Sequence, residues 1–301
     1  MLAQLGNPAL LEEYEERGDC AAEKKLDGTR AMLVKTVDGK IMIPNRRNVD
    51  YAKERNLPEL EAVAHLLPPD SRVDGEIINA VGPIDRIRSQ RRCSTTTPYK
   101  VALLVKEIPI KLVSFDILRL NGVDLTNCPF SRRKDALKDL LSQINHPALE
   151  LLWYETEGFR KLFNSETEGL MIKRVWARYM PGIRSDYWLK CKHTETETVS
   201  VAGWTKGEGA ITGLFGSLVC VRAGQYVGNV GSGFTLAERR QLTQLLEKSP
   251  SITLSPKIVG EVKDPFTAVK APFKLKVTFS SKTQQKHNFQ PRLAEDNAII
   301  F

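Results

Sequence analysis

Residues 23–30 constrain this chain most strongly, because they place a lysine close to an Asp-Gly turn and before a predicted strand pair. Lys25 stands two residues before Asp27-Gly28 and five before Arg30. The apolar residues that follow flank Asp38-Gly39, a dipeptide typical of a β-hairpin turn. A lysine held in this way can act as a covalent nucleophile once it has lost its proton, while an arginine steadies a phosphate under attack. A solvated charged turn is the alternative interpretation of these residues alone.

The composition is that of an ordinary soluble protein and argues against several classes. The 301 residues, 42% hydrophobic and 27% charged, are enough to bury a sizeable core and suggest two domains. Glutamates interrupt the first apolar run and no stretch approaches the ~20 apolar residues of a membrane span, so we expect an intracellular protein without membrane contact. We also expect a monomer. The five cysteines are scattered without a C-x-x-C pair, which argues against a disulfide framework or a zinc site.

The charge favours a polyanionic partner, because lysines and arginines that neutralise phosphates release bound counterions. The net charge is +8 and the pI is near 9.2. Residues 197–301 carry 13 Lys and Arg against 8 Asp and Glu, whereas residues 1–196 carry 31 against 28, so the smaller C-terminal part is the more basic. A local basic cluster could follow a nucleic-acid backbone or be a solvated loop face; its members are Arg86, Arg88, Arg91, Arg92 and Lys100.

The pattern along the chain predicts an α+β protein of two domains, residues 1–195 and 196–301. In the first, helical patterns alternate with strand patterns that indicate mainly antiparallel sheets. In the second, short β segments are separated by glycines, and one helix follows a capping box that begins at Thr235. These features favour a small Greek-key β-barrel of the OB type, a common nucleic-acid-binding fold.

Five more short segments follow Lys25 in order. They read N-R-R at 45–47, D-G-E-I at 74–77, S-F-D-I-L at 114–118, E-G-L-M-I-K at 168–173 and W-L-K-C-K at 188–192. Together with K-x-D-G-x-R at 25–30, this series resembles the ordered nucleotidyltransferase motifs of ATP-dependent DNA ligases. The resemblance implies an adenylation (nucleotidyltransferase) domain followed by an OB-fold domain, the minimal two-domain form. It also implies ATP as the nucleotide, Mg²⁺ or Mn²⁺ as the metal and nicked duplex DNA as the partner.

The resemblance also implies a role for each site residue. Lys25 would attack the α-phosphate, and Arg30 would lie near the ribose and phosphate. Glu23 would meet the amino edge of adenine while Phe115 stacks on the ring.

The remaining implied roles concern the phosphates and the metal. Arg46 would bind the phosphate of the nucleotide or of a DNA end. Glu76 and Glu168 would hold the ribose hydroxyl or Mg²⁺, since carboxylate oxygens suit a hard cation. Three further cations would neutralise the triphosphate: Arg184, Lys190 and Lys192.

The C-terminal segment departs from the family pattern. Ligases usually end with a basic R-x-D-K segment that helps orient the leaving pyrophosphate. Here the aligned residues at 294–297 are A-E-D-N, which keep only the aspartate. Either Arg292 or Lys286 substitutes for the missing cations, or adenylation of the lysine is slow.

Other interpretations of the motifs remain open. A capping-type guanylyltransferase or an RNA ligase shares K-x-D-G, and a non-catalytic nucleic-acid-binding relative would also fit a weakened terminal motif. Only 24 residues precede Lys25. We therefore expect no helical N-terminal DNA-binding domain of the kind found in larger replicative ligases, and such an enzyme would grip DNA with two domains or with an accessory partner.

Overall fold

The computed structural model describes residues 1–54, 56–164, 168–279, 281–282, 288–289, 291–294 and 298–301. The chain divides into two compact units, Met1–Lys192 and His193–Phe301. None of the helices in the described residues is both long enough and apolar enough to cross a membrane.

The first unit alternates short helices with strands. Its elements are β1 (Leu2–Leu5), α1 (Leu11–Glu16), β2 (Cys20–Lys24), β3 (Thr29–Lys35), β4 (Ile41–Met42), α2 (Tyr51–Glu54), α3 (Pro58–Leu66), β5 (Ser71–Asn79), α4 (Arg86–Ser94), α5 (Pro98–Glu107), β6 (Ile110–Leu120), β7 (Val123–Asp124), α6 (Phe130–Ile144), β8 (Leu149–Leu151), β9 (Tyr154–Glu155), α7 (Phe159–Leu162), β10 (Gly169–Arg174) and β11 (Arg184–Lys192).

Two sheets organise these elements. One has the strand order β1-β11-β10-β2-β9, and the other has the order β4-β3-β5-β6-β7 with β8 beside β6. The pairs β1·β11 and β6·β8 are parallel, and the other pairs in the two sheets are antiparallel. The expected α+β class with mainly antiparallel sheets is therefore confirmed.

The largest hydrophobic core of this unit forms where helices cover the second sheet. On α3 the buried residues Leu60, Val63 and Ala64 follow the i, i+3, i+4 spacing of one helix face. They share a core cluster with Leu33 of β3 and Leu112 of β6, which are both fully buried. Burial of such side chains stabilises the fold by about 1.5–3 kcal/mol each.

The second unit is built around one antiparallel sheet. Its elements are β12 (Glu195–Lys206), β13 (Phe215–Arg222), β14 (Gln225–Val230), α8 (Leu236–Lys248), α9 (Pro256–Glu261), β15 (Phe266–Ala268), β16 (Lys274–Phe279), β17 (Ser281–Lys282), β18 (Asn288–Phe289), β19 (Arg292–Leu293) and β20 (Ile299–Ile300). The main strand order is β14-β13-β12-β16-β19.

The strand pairings of the described residues do not close the predicted OB-type sheet into a complete barrel. Along its length β12 pairs first with β16 and then with β15, while β13 occupies its other edge. The pairing therefore runs from β14 to β19 as an open sheet. The capping box predicted at Thr235 is present, because its hydroxyl accepts from Glu238 N and the Glu238 carboxylate accepts from Thr235 N.

The basic cluster, for which a nucleic-acid contact and a solvated loop face were both open, lies on helices α4 and α5. Asp85 accepts hydrogen bonds from Ile87 N and Arg88 N and so caps the start of α4. Arg92 is fully buried and forms a salt bridge to Glu59 at 2.7 Å, so it cannot follow a nucleic-acid backbone. The sequence pattern did not predict α4, because this arginine-rich segment has no obvious apolar stripe from which a helical period could be recognised.

Candidate active site

Strand register brings the polar segments of the first unit together. Glu23 of β2 pairs with Met171 of β10, which pairs in turn with Lys190 of β11. Directly after β2, Lys25 N donates a hydrogen bond to Gly169 O at 2.8 Å. Residues that are far apart in sequence therefore lie at fixed positions on neighbouring strands.

A cavity of about 910 Å³ opens over these strands. Its lining includes every residue that the sequence motifs predicted for the site: Glu23, Lys25, Arg30, Arg46, Glu76, Phe115, Glu168, Arg184, Lys190 and Lys192. Their individual roles remain predictions.

The Asp-Gly turn after Lys25 is packed against β5. A Cβ atom on Gly28 would lie 2.2 Å from Ile77 O and 2.9 Å from Glu76 Cγ, so only glycine fits this close approach. The next strand, β3, pairs Arg30 with Glu76 in register. The turn therefore places the segment that contains Lys25 next to β5, the strand that carries Glu76.

Glu168 lies between two lysines near the mouth of the cavity. Its carboxylate forms salt bridges with Lys25 and with Lys192, the second at 2.6 Å. Burial acts to raise the pKa of Glu168, but the two ammonium groups outweigh it and the pKa is lowered. We call Lys25, Glu168 and Lys192 the outer triad.

Glu23 also lies between two lysines, deeper in the fold. Its Oε1 is 2.6 Å from Lys134 Nζ and its Oε2 is 2.6 Å from Lys173 Nζ. Burial lowers the pKa of Lys173 even though Glu23 acts to raise it. We call Lys134, Glu23 and Lys173 the inner triad.

Aromatic rings surround one ammonium of the inner triad. Lys173 Nζ lies 4.2 Å from the ring centroid of Trp188, 4.7 Å from that of Phe130 and 4.8 Å from that of Phe115. Cation–π attraction offsets part of the free energy of burying this charge. The ring proposed to stack on a base therefore also packs against the inner triad.

The guanidinium of Arg30 is fixed by a hydrogen-bond network. Its Nε and Nη2 donate to the two carboxylate oxygens of Asp74 at 3.0 and 2.6 Å. Nη1 donates to Met1 O at 2.7 Å, and Nη2 also donates to the Tyr179 hydroxyl at 3.0 Å. These four bonds use most of the five N–H groups of a guanidinium, so Arg30 has little donor capacity left for a ligand.

The surroundings of the cavity shift two further ionisable groups. Burial raises the pKa of Glu76 to about 7, although Lys25 and Arg30 act to lower it. Burial lowers the pKa of Lys190, and the neighbouring cations Arg184, Lys192, Lys25 and Arg46 lower it further. The cavity therefore presents a concentrated positive charge that an anionic ligand would relieve.

The carboxylates of the cavity suit a metal that arrives with a phosphate ligand. Among the described residues there is no cluster of three or more His, Cys, Asp or Glu side chains able to hold an ion unaided. Mg²⁺ is usually bound by one or two carboxylates together with substrate phosphates and water. Glu76 and Glu168, which line the same cavity, fit that donor set.

The remaining predicted residues lie at the rim or outside the described chain. Arg46 is exposed on a loop that Asn45 shapes by accepting from Arg47 N and Val49 N. Arg184 is exposed at the start of β11 and donates to Ala3 O. The C-terminal segment at 294–297 is the one that departs from the family pattern, and only its first residue, Ala294, is described. Lys286 also lies outside the described residues.

The sequence motifs missed Lys134, and they gave no role to Lys173. Helix α6 buries Phe130, Arg133, Lys134, Leu137 and Leu140, a spacing typical of a core-facing stripe. The presence of two charged residues in that stripe, Arg133 and Lys134, could have indicated buried ion pairs. Arg133 is fully buried and pairs with Asp116 at 2.7 Å.

The chain is similar to known DNA ligases. Residues 1–192 match the family described as ATP dependent DNA ligase domain. Over 292 residues the chain is 31% identical to the DNA ligase of Thermococcus fumicolans, covering 87% of this chain and 50% of that protein. The DNA ligase of Natronomonas pharaonis is 31% identical over 285 residues, with the same two coverages.

Two solved structures share the fold. The ligase domain of M. tuberculosis LigD has a TM-score of 0.54 and 24% identity, covering 99% of this chain and 93% of that one. A Lig E DNA ligase has a TM-score of 0.65 and 18% identity, covering 99% and 98%.

The chain belongs to the ATP-dependent DNA ligase domain family, and the resemblance noted from its motifs is confirmed. It spans about half the length of the curated relatives that it matches.

Proposed function

We propose that this protein is an ATP-dependent DNA ligase that seals nicks between a 5′-phosphate and a 3′-hydroxyl. The observation that carries the proposal is the outer triad, which places Lys25 beside a carboxylate within a cation-rich cavity. In-line transfer of a nucleotidyl group depends mainly on positioning and charge neutralisation. That requirement matches a site whose polar side chains are Lys, Arg and Glu.

The proposed reaction has three displacements at phosphorus. First, neutral Lys25 Nζ forms a bond to the α-phosphorus of ATP and loses a proton, while the bond to the bridging oxygen breaks and pyrophosphate leaves. Second, an oxygen of the 5′-phosphate at the nick displaces Lys25 from AMP, and the leaving nitrogen regains a proton. Third, the 3′-hydroxyl attacks the activated 5′-phosphorus, loses its proton and releases AMP.

The other residues of the cavity would orient the nucleotide. Glu23 would accept from the adenine amino group, Phe115 would stack on the base, and Arg30 would approach the ribose. Lys190, Lys192, Arg184 and Arg46 would draw the phosphates in by charge. A magnesium ion held by Glu76 and Glu168 would neutralise the phosphate oxygens.

DNA would be the second substrate, which places the activity inside the cell. Residues 197–301, which form most of the second unit, have a net charge of +5. We propose that it serves as an OB-type domain that contacts the phosphate backbone, with affinity that falls as salt rises.

Mass spectrometry of the intact protein after incubation with ATP and Mg²⁺ tests the first step. Wild-type protein should gain one AMP, and Lys25→Ala should gain none. Lys24→Ala is the matched control, because Lys24 is the exposed neighbour at the end of β2. An AMP adduct on Lys25→Ala would contradict the proposal.

A denaturing gel tests the later steps and the choice of substrate. A labelled nicked duplex should be joined when both strands are DNA. Duplexes with RNA on either side of the nick should react at least tenfold more slowly. Joining only RNA ends, or transfer of GMP from GTP, would favour the RNA ligase or capping alternatives instead.

A further inference from the structure

One lysine of the inner triad connects the two residues proposed to contact the base. Lys134 Nζ lies 2.6 Å from Glu23 Oε1, and it also donates to the backbone oxygen of Phe115 at 3.2 Å. Its side chain is only 4% exposed. A single ammonium thus joins the carboxylate at one edge of the base site to the strand that carries the stacking ring.

Charge neutralisation does not explain this lysine. Lys173 already supplies Glu23 with a buried counter-ion at 2.6 Å, so the second ammonium leaves the triad with one excess positive charge. Burying an ammonium is unfavourable unless its interactions repay the lost hydration. Lys134 nevertheless occupies the core-facing stripe of α6, where Leu137 lies one turn later.

We infer that Lys134 is a positioning residue that sets the specificity for adenine nucleotides. The inference rests on the proposed function, in which Glu23 accepts a hydrogen bond from the exocyclic amino group. Each carboxylate oxygen has two acceptor positions, so one lysine on each oxygen leaves positions for the ligand. Lys134 donates a hydrogen bond to Oε1 and the Lys173 ammonium lies 2.6 Å from Oε2, so rotation of the carboxylate would disrupt both interactions. Without Lys134, it is free to turn toward Lys173 and away from the base.

The test compares ATP with purine riboside triphosphate, which lacks the exocyclic amino group. The rate of adduct formation by intact-protein mass spectrometry gives a selectivity ratio for each variant. Wild-type protein should prefer ATP by about tenfold or more, the value of one hydrogen bond to a charged group. Lys134→Met, which leaves Glu23 and Lys173 as a neutral pair, should reduce the ratio to about one to three.

Two variants control the experiment. Lys138→Met removes the same charge from an exposed position one turn further along α6 and should keep the wild-type ratio. Lys134→Arg keeps a cation at the original position and should restore most of the selectivity. Thermal unfolding reports whether each variant folds, and Lys134→Gln takes the place of Lys134→Met if the latter does not.

The possible results separate the two proposals. If Lys134→Met lowers both rates equally and the ratio stays at the wild-type value, Lys134 is merely structural and the inference is wrong. If wild-type protein forms an adduct without preferring ATP, the inference is also wrong, although the ligase proposal stands. If wild-type protein forms no adduct with either triphosphate, both proposals fall.

Discussion

One glutamate between two lysines occurs twice in the first unit, and the two arrangements differ in burial. The side chains of the outer triad are 17–22% exposed, whereas those of the inner triad are 1–4% exposed. Charges that keep contact with water exchange partners at little cost in free energy, but fully buried charges depend on the partners they have. The outer triad therefore suits groups that change partners during a reaction, and the inner triad suits fixed recognition.

The largest expected effect comes from removing the central charge of the inner triad. Glu23→Gln leaves two buried ammonium groups without a counter-ion and should lower the free energy of unfolding by about 3–5 kcal/mol. Urea denaturation followed by circular dichroism measures the loss. The same substitution in the outer triad, Glu168→Gln, should change stability by no more than about 1 kcal/mol. Equal losses in the free energy of unfolding of the two variants would contradict the distinction between the triads.

The outer triad should instead be sensitive in its chemistry. Glu168→Gln removes the carboxylate that holds Lys25 and that we assign to the metal or the ribose. Adduct formation with ATP should therefore slow by about a hundredfold. Single-turnover kinetics at saturating ATP checks this, with Glu150→Gln, an exposed glutamate on β8, as the control. A rate within threefold of wild type would remove Glu168 from the proposed machinery.

A smaller effect should appear in the pH dependence of stability. Burial raises the pKa of Glu76 from 4.5 to about 7, so the folded state binds this proton more tightly than the unfolded state does. The contribution of protonated Glu76 to the free energy of unfolding is therefore fully present below pH 4.5, and it is lost as the pH rises through 7. Glu76→Gln avoids the loss and should be more stable than wild type by about 2 kcal/mol at pH 8, with no difference at pH 4.

Chemical denaturation at the two pH values, in EDTA and without nucleotide, measures this difference. Glu54→Gln on α2 provides a control in the same unit. A Glu76→Gln variant that is no more stable than wild type at pH 8 would contradict the raised pKa.

Sequence reasoning predicted the elements that local patterns specify. The Asp38-Gly39 hairpin and the capping box at Thr235 follow from turn chemistry and from capping chemistry. The motif series predicted which side chains share the cavity, because each motif lies on a strand or turn whose position the fold determines.

The inner triad could not be predicted in the same way. Glu23 and Lys134 are 111 residues apart in sequence, and no local rule pairs a lysine on a helix with a glutamate on a strand. Arg92 and Arg133 were missed for the same reason, since an arginine in a polar segment is recognised as buried only once its partner is known. The closure of the second sheet likewise depends on long-range pairings that short strands do not specify.

The backbone hydrogen bond from Lys25 to Gly169 implies a constraint on chain length as well as on residue identity. Successive side chains of a strand point to opposite faces, and β10 presents Met171 and Lys173 toward the cavity. If Gly169 keeps this hydrogen bond, deleting Leu170 would place Ile172 and Arg174 at these two positions. In-frame insertions and deletions should therefore be eliminated from this strand even in relatives that tolerate conservative replacements there.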